Sequence, residues 1–87
     1  MFLHLGQLTV IRTENILGIF DLDNTTVSKS TRDYLARAQK DGNVFNVSME
    51  LPKSFVVTVE DGKEKVYISQ LSSGTLLKRM ETNSTYI

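Results

Sequence analysis

The sequence contains no cysteine, no tryptophan, a single proline and a single histidine in 87 residues. The absence of cysteine excludes disulfide bonds, and His4 alone cannot supply the ligand set of a zinc site. We therefore expect neither a metal site nor a cofactor. Because domains this small bury little apolar surface and often gain stability by oligomerising, we expect a homo-oligomer.

Long apolar runs are also absent. The first residues alternate in polarity and lack the basic start and apolar core of a signal peptide. No stretch reaches the roughly 18 consecutive apolar residues that indicate a membrane helix. These absences predict a cytoplasmic protein without a membrane segment. The length predicts a single domain, which we place in residues 1–80, with a frayed tail at 81–87.

The chain has no excess of either charge, since ten Lys and Arg balance ten Asp and Glu. A protein that binds nucleic acid as a monomer usually carries a clear positive excess, so the balance argues against that class. It does not exclude a ring in which every subunit contributes one basic edge.

The first half of the chain predicts three strands and then a helix. Residues 2–5 and 8–12 are rich in β-forming side chains around Gly6, which indicates a hairpin or a bent strand. Residues 16–20 are mostly apolar and predict a buried central strand. A helix is predicted over Ser30–Asp41, with Ser30 as its cap and Gly42 as its left-handed stop.

The second half predicts three further strands and a short helix. Residues 44–49 alternate in polarity, and two more alternating runs flank Asp61-Gly62, a strong hairpin turn signal. Residues 72–80 predict a short helix with a Ser or Thr cap. The fold class is therefore α+β: a small mixed β-sheet of about five to six short strands, one main helix and a short C-terminal helix. We expect both helices on one face of the sheet.

One motif suggests an enzyme. Asp21-Leu22-Asp23-Asn24-Thr25 follows an apolar strand and resembles the first motif of haloacid-dehalogenase-type phosphotransferases. That resemblance would imply a nucleophilic Asp21, an acid/base Asp23 and a nearby Mg²⁺. Phosphoryl transfer also needs a cation and further metal ligands, which that family supplies from a large parallel sheet. The 61 residues after Thr26 leave no room for one, so we expect no enzymatic activity and a turn-forming role for both aspartates.

Several longer stretches carry a second resemblance, which covers nearly the whole chain. They are Phe2–Gly6, Gly18–Thr26, Val47–Val57 and Tyr67–Ser69. In these stretches the chain resembles the RemA/RemB family of extracellular matrix regulatory proteins. The resemblance implies a cytoplasmic regulator that promotes expression of biofilm-matrix genes, a ring-like homo-oligomer, binding to double-stranded DNA, and the related regulator RemA as a candidate partner.

The resemblance also indicates where the basic residues of that family would fall. Glu50, Leu51 and Pro52 stand where RemA-type chains carry arginines, and another expected arginine falls near Glu14. Both differences remove positive charge, and only Lys53 is basic in the first of these segments.

The candidate DNA-binding residues are Lys53, Lys29, Arg32 and Arg79. Each also has a simpler interpretation: Lys53 as a solvated turn residue, Lys29 and Arg32 as part of a hydrated basic helix face, and Arg79 as a complement to a helix C-terminus. Two functions stay open. One is a non-enzymatic transcriptional regulator that binds DNA as a ring. The other, favoured by the charge balance, is an oligomeric protein-interaction scaffold that acts through another regulator without touching DNA.

Overall fold

The computed structural model describes residues 1–6, 8–22 and 28–85, and for 82–85 it describes the backbone alone. In this part of the chain, six strands, two α-helices and a short 3₁₀ helix follow one another. The elements are β1 (Phe2–Gly6), β2 (Thr9–Arg12), the 3₁₀ helix (Thr13–Asn15), β3 (Ile16–Asp21), α1 (Lys29–Lys40), β4 (Val44–Asn46), β5 (Ser54–Glu60), β6 (Lys63–Ser69) and α2 (Ser73–Thr85). The predicted α+β class and the predicted order of strands and helices are confirmed.

The strands form two sheets rather than one. β1 and β2 make a two-stranded antiparallel hairpin, and the other four strands form a sheet in the order β3-β5-β6-β4. In the larger sheet β3 and β6 each run antiparallel to β5, whereas β4 runs parallel to β6. The larger sheet is therefore mixed, as predicted.

Two of the turns have the geometry that their sequences predict. Asp61 and Gly62 both have positive φ, at 53° and 77°, as a tight two-residue hairpin turn requires. Gly42 follows Asp41, the C-terminal cap of α1, and its φ of 76° ends the helix in the left-handed region.

The start of α1 differs from the prediction. The cap is Ser28 rather than Ser30, because the Ser28 hydroxyl accepts a hydrogen bond from the Thr31 backbone N–H at 3.1 Å. The helix therefore begins at Lys29. Both serines are good caps in sequence terms, and only the backbone geometry of Ser28 (φ −65°, ψ 155°) decides between them.

The two helices lie on opposite faces of the four-stranded sheet, so the prediction that they share one face is wrong. Val56 packs on one face with Leu3 and Leu5 of the hairpin and Leu76 of α2. Phe55 and its neighbours pack on the other face against α1. Consecutive residues of a strand point to opposite faces. The uninterrupted burial of Ser54–Thr58 therefore requires a cover on both sides.

The predicted central strand lies at an edge. β3 has only β5 as a neighbour, and Leu17 and Phe20 remain 65% and 47% exposed. The central strands are β5 and β6. An apolar run alone indicates burial, and it cannot distinguish burial inside one chain from burial against another.

The C-terminal helix is longer than predicted, because α2 continues past Met80 to Thr85. No glycine or proline follows Met80 to stop it. Its predicted serine cap is present, since the Ser72 hydroxyl accepts from the Thr75 N–H at 3.1 Å. Neither helix within the described residues is long and apolar enough to cross a membrane.

Candidate nucleic-acid interface

Lys53 lies on a fixed backbone between two strands. Its N–H donates to the Ser69 carbonyl at 2.9 Å, and its own carbonyl accepts from the Leu22 N–H at 2.8 Å. These two bonds extend the ladder of the sheet one residue beyond the start of β5 and hold the main chain on both sides. The Lys53 side chain is exposed, so a rigid backbone presents a solvent-facing ammonium group.

Lys29 and Arg32 occupy the first turn of α1. Both are exposed, and the first turn contains no acidic residue. The backbone N–H groups at a helix start carry partial positive charge, so cations there are unfavourable for the helix itself. Helix stability therefore does not explain these two residues. Residues three apart on a helix are surface neighbours, and together with the exposed N–H groups they make this end of α1 attractive to anions.

The other basic residues of α1 have a structural explanation. Arg37 and Lys40 lie in the last turn, where the helix end carries partial negative charge. Cations stabilise that end, so these two residues need no ligand to account for them.

Arg79 holds two elements together. Its guanidinium Nη1 donates to the carbonyl oxygen of His4 at 3.2 Å, which links α2 to β1. The predicted role of Arg79 at a helix C-terminus is wrong, because the helix continues beyond it and has no basic residue in its last turn. The contact with His4 uses one guanidinium nitrogen, and the residue is exposed.

Glu14, at a position where the family resemblance implied an arginine, has a structural role here. It accepts from the N-terminal ammonium of Met1 at 3.2 Å and from Arg12 Nη2 at 3.0 Å. A hydrogen bond from its own backbone, then these two contacts, lower the pKa of Glu14 to about 2. The carboxylate therefore stays charged and fastens the open end of the β1–β2 hairpin.

The four predicted DNA-binding residues lie in three separate parts of the described chain. Lys29 and Arg32 share a helix turn, Lys53 lies at the start of β5, and Arg79 lies on α2, which packs on the opposite face of the sheet. Arg79 is therefore on the other side of the sheet from Lys29 and Arg32.

The phosphotransferase motif falls largely outside the described residues, which stop at Leu22 and resume at Ser28. Asp21, the candidate nucleophile, is exposed at the end of β3. Among the residues that the structure describes, no group of three His, Cys, Asp or Glu side chains is placed to hold a metal ion.

Sequence reasoning missed two apolar surface features. Leu17 and Phe20 open into a groove of about 410 Å³ beside α1, and Phe20 stacks on Phe55 at its floor with 4.9 Å between ring centroids. Met49 and Leu51 lie on either side of Glu50 in the loop before β5; Met49 is fully exposed and Leu51 is 79% exposed. Apolar residues next to Pro52 in a predicted turn were the available signal.

Comparison with known proteins identifies the family. A family model described as RemA-like, extracellular matrix regulatory protein A-like, matches residues 2–80. The chain belongs to the RemA-like family. It is also 41% identical over 81 residues to Extracellular matrix regulatory protein B of Bacillus subtilis (strain 168), and this similarity covers 93% of the chain and 91% of that protein. The family resemblance drawn from the sequence is confirmed.

Proposed function

We propose that this RemA-like chain is a cytoplasmic, non-enzymatic transcriptional regulator of biofilm extracellular-matrix genes that binds double-stranded DNA as a ring-like homo-oligomer. The proposed role in matrix-gene regulation is supported by membership of the family and by the relative named Extracellular matrix regulatory protein B. The DNA contact is carried by the observation that Lys29 and Arg32 stand at a helix N-terminus without an acidic residue in the turn.

Phosphate contacts give this proposal its mechanism. Lys29, Arg32 and Lys53 are exposed cations, and Lys53 is held on a backbone bonded on both sides. Such groups would bind the sugar-phosphate backbone and would carry no base specificity of their own. A neutral chain gains affinity for DNA only if several subunits contact one duplex together, because linked weak contacts add as avidity.

A second candidate function is supported by the balanced charge and by the exposed apolar side chains. In this alternative the homo-oligomer is a scaffold that acts through another regulator, such as the related RemA, and does not contact DNA.

The test is a mobility shift with duplex DNA from a matrix-operon promoter at low salt. The wild-type oligomer should shift the duplex, and Lys53→Glu should weaken the shift for all sequences alike, because a phosphate contact is lost. Lys63→Glu is the matched control, since Lys63 is also exposed but lies at the β5–β6 turn.

The outcomes separate the two functions. An assembled wild-type oligomer that leaves the duplex unshifted at low salt would favour the scaffold. Equal weakening by Lys53→Glu and Lys63→Glu would mean that only the total charge of the protein matters and that Lys53 makes no specific contact with DNA.

A further inference from the structure

Sulfur occurs in this chain only as the thioether of methionine. The sequence contains no cysteine and three methionines, which are Met1, Met49 and Met80. Thiolates are the sulfur groups that peroxides oxidise most readily, and in their absence methionine sulfur is the remaining target. Oxidation converts the apolar thioether reversibly into a polar sulfoxide. The environment of each methionine therefore decides which of them reacts and what the reaction changes.

The structure ranks the three methionines by access. Met49, in the loop before β5, is fully exposed, whereas Met1 is 41% exposed. Met1 is also held in place, because its ammonium group donates to Glu14 and its carbonyl accepts from the Thr13 N–H at 3.0 Å. Met80 is partly buried and packs against the core on the hairpin side of the sheet. An oxidant in solution therefore reaches the sulfur of Met49 first.

The fold does not depend on the thioether of Met49. Its side chain belongs to neither of the two core clusters. The loop around it is held by backbone N–H groups: that of Val47 donates to the Ile68 carbonyl at 2.9 Å, and that of Glu50 donates to the Ser48 hydroxyl at 3.0 Å. Oxidation of Met49 leaves both bonds in place. At the partly buried methionine of α2, by contrast, a sulfoxide would place a polar oxygen against the core.

We propose that Met49 is a peroxide-sensitive modification site, at which oxidation to the sulfoxide changes the surface of the protein and leaves its fold intact. In the reaction, a lone pair of the sulfur attacks one oxygen of hydrogen peroxide. An S–O bond forms, the O–O bond breaks, and the leaving hydroxide takes up a proton and becomes water. The sulfur is oxidised and the peroxide is reduced. Because hydrogen peroxide is neutral, the adjacent carboxylate of Glu50 does not repel it.

The surface that changes lies at the turn of the β1–β2 hairpin. Met49 lines it together with Leu8, Thr9, Asn46 and Ser48. In the reduced protein the exposed side chains of Met49 and Leu8 make it apolar. A sulfoxide oxygen is a hydrogen-bond acceptor, and the two hydroxyls and the amide on this surface carry donors. Oxidation therefore replaces an apolar projection by a polar one, and reduction of the sulfoxide restores it.

Peroxide treatment of the native full-length protein tests the site. Sulfoxide is measured at each methionine by peptide mass spectrometry over time. The first product should carry one added oxygen, at Met49, and its unfolding midpoint in urea should equal that of the untreated protein. Met80 should react severalfold more slowly than Met49 in the native protein. In denaturant all three thioethers should react at similar rates, because the fold sets the native order.

Two variants separate Met49 from the other sulfur atoms. Met49→Leu keeps an apolar side chain and removes the sulfur, so its first oxidation should be severalfold slower than in the wild type. Met80→Leu is the matched control: the two side chains have similar volumes, and the variant should keep the wild-type rate of first oxidation. Hydrophobic-interaction chromatography reports the change in surface. Brief peroxide treatment should shorten the retention of the wild type and of Met80→Leu, and should leave that of Met49→Leu unchanged.

Several results would overturn the proposal. They are a first oxidation at Met1 or Met80, a rate at Met49 in the native protein well below its rate in denaturant, and an unchanged retention once Met49 is oxidised. A lower unfolding midpoint for the protein oxidised at Met49 would also reject it, because the thioether would then support the fold. None of these measurements involves DNA, so their outcome is distinct from that of the mobility shift.

Discussion

The Ser69 hydroxyl makes one hydrogen bond to the β1–β2 hairpin and one to the segment after β6, and removing both should be costly. Its hydroxyl is fully buried, donates to the Leu5 carbonyl at 2.6 Å and accepts from the Leu71 N–H at 3.0 Å. Leu5 lies at an irregularity of the hairpin register, between His4 and Gly6, and the ladder pairs on either side do not include it. The Ser69 hydroxyl therefore bonds the carbonyl of a residue that has no partner in the strand register.

Ser69→Ala should lower the free energy of unfolding by about 2–4 kcal/mol, because a buried carbonyl and a partly buried N–H both lose their partner. A chain of this length has a total stability of roughly 4–13 kcal/mol, so the loss is a large fraction. With a urea dependence of about 1–2 kcal/mol per M, the midpoint should fall by at least about 1 M.

Two other serines provide comparison variants for Ser69→Ala. Ser54 is equally buried, but its hydroxyl makes one bond, to the Leu71 carbonyl at 2.7 Å, so Ser54→Ala should cost about half as much. Ser30 is exposed on α1, and Ser30→Ala should cost nothing. All variants are compared by urea unfolding at one protein concentration, since oligomerisation contributes to apparent stability. A loss for Ser69→Ala no larger than that for Ser54→Ala would refute the reasoning.

Three further predictions follow from caps, packing and titration. Ser28→Ala should destabilise the protein by about 1 kcal/mol in thermal unfolding, because it removes the cap of α1. An equal loss in Ser30→Ala would instead support Ser30, the cap predicted from the sequence. Leu76→Ala should cost about 2–5 kcal/mol and Leu77→Ala less than about 0.5, since only Leu76 is buried; similar losses in chemical denaturation would mean that α2 packs differently. Burial, and then hydrogen bonds to Glu64 and Glu60, raise the pKa of Tyr34 and of Tyr67 from 10 to about 12. The stability that this shift supplies is complete below pH 10 and is lost as the pH rises towards 12. An absorbance titration in which both phenols ionise near pH 10 would contradict it.

The local features of this fold could be read from the sequence, because short segments determine them. Asp61-Gly62 specified its own hairpin turn, and Gly42 specified the end of α1. The choice between Ser28 and Ser30 as cap could not be made, since both residue types satisfy the same rule and the preceding backbone decides.

The arrangement of the sheet could not be predicted, because strand order depends on contacts between distant residues. The apolar run of β3 suggested a central strand, yet it lies at an edge with Leu17 exposed. Consecutive burial at Phe55, Val56 and Val57 is the signal that both faces are covered, and reading it would have placed the helices on opposite faces.

The candidate site could be predicted only as a set of separate cations. Lys53 followed from the turn at Pro52, and Lys29 and Arg32 from the helix pattern. Their environments distinguish them from Arg37, Lys40 and Arg79, since helix polarity and the contact with His4 account for those three. Charge alone cannot show which basic residues of a helix face are candidates for DNA binding and which stabilise the fold.

The most direct test of the proposed function is the salt dependence of DNA binding by the oligomer. Each phosphate that the protein neutralises contributes about 0.9 to the slope of log K against log salt concentration. If several subunits contact one duplex, the single substitution Lys53→Gln should reduce the slope by about 1.8 or more, and Lys63→Gln should leave it unchanged. An unchanged slope for Lys53→Gln, or a reduction of about 0.9 or less, would show that Lys53 of several subunits does not contact one duplex at the same time.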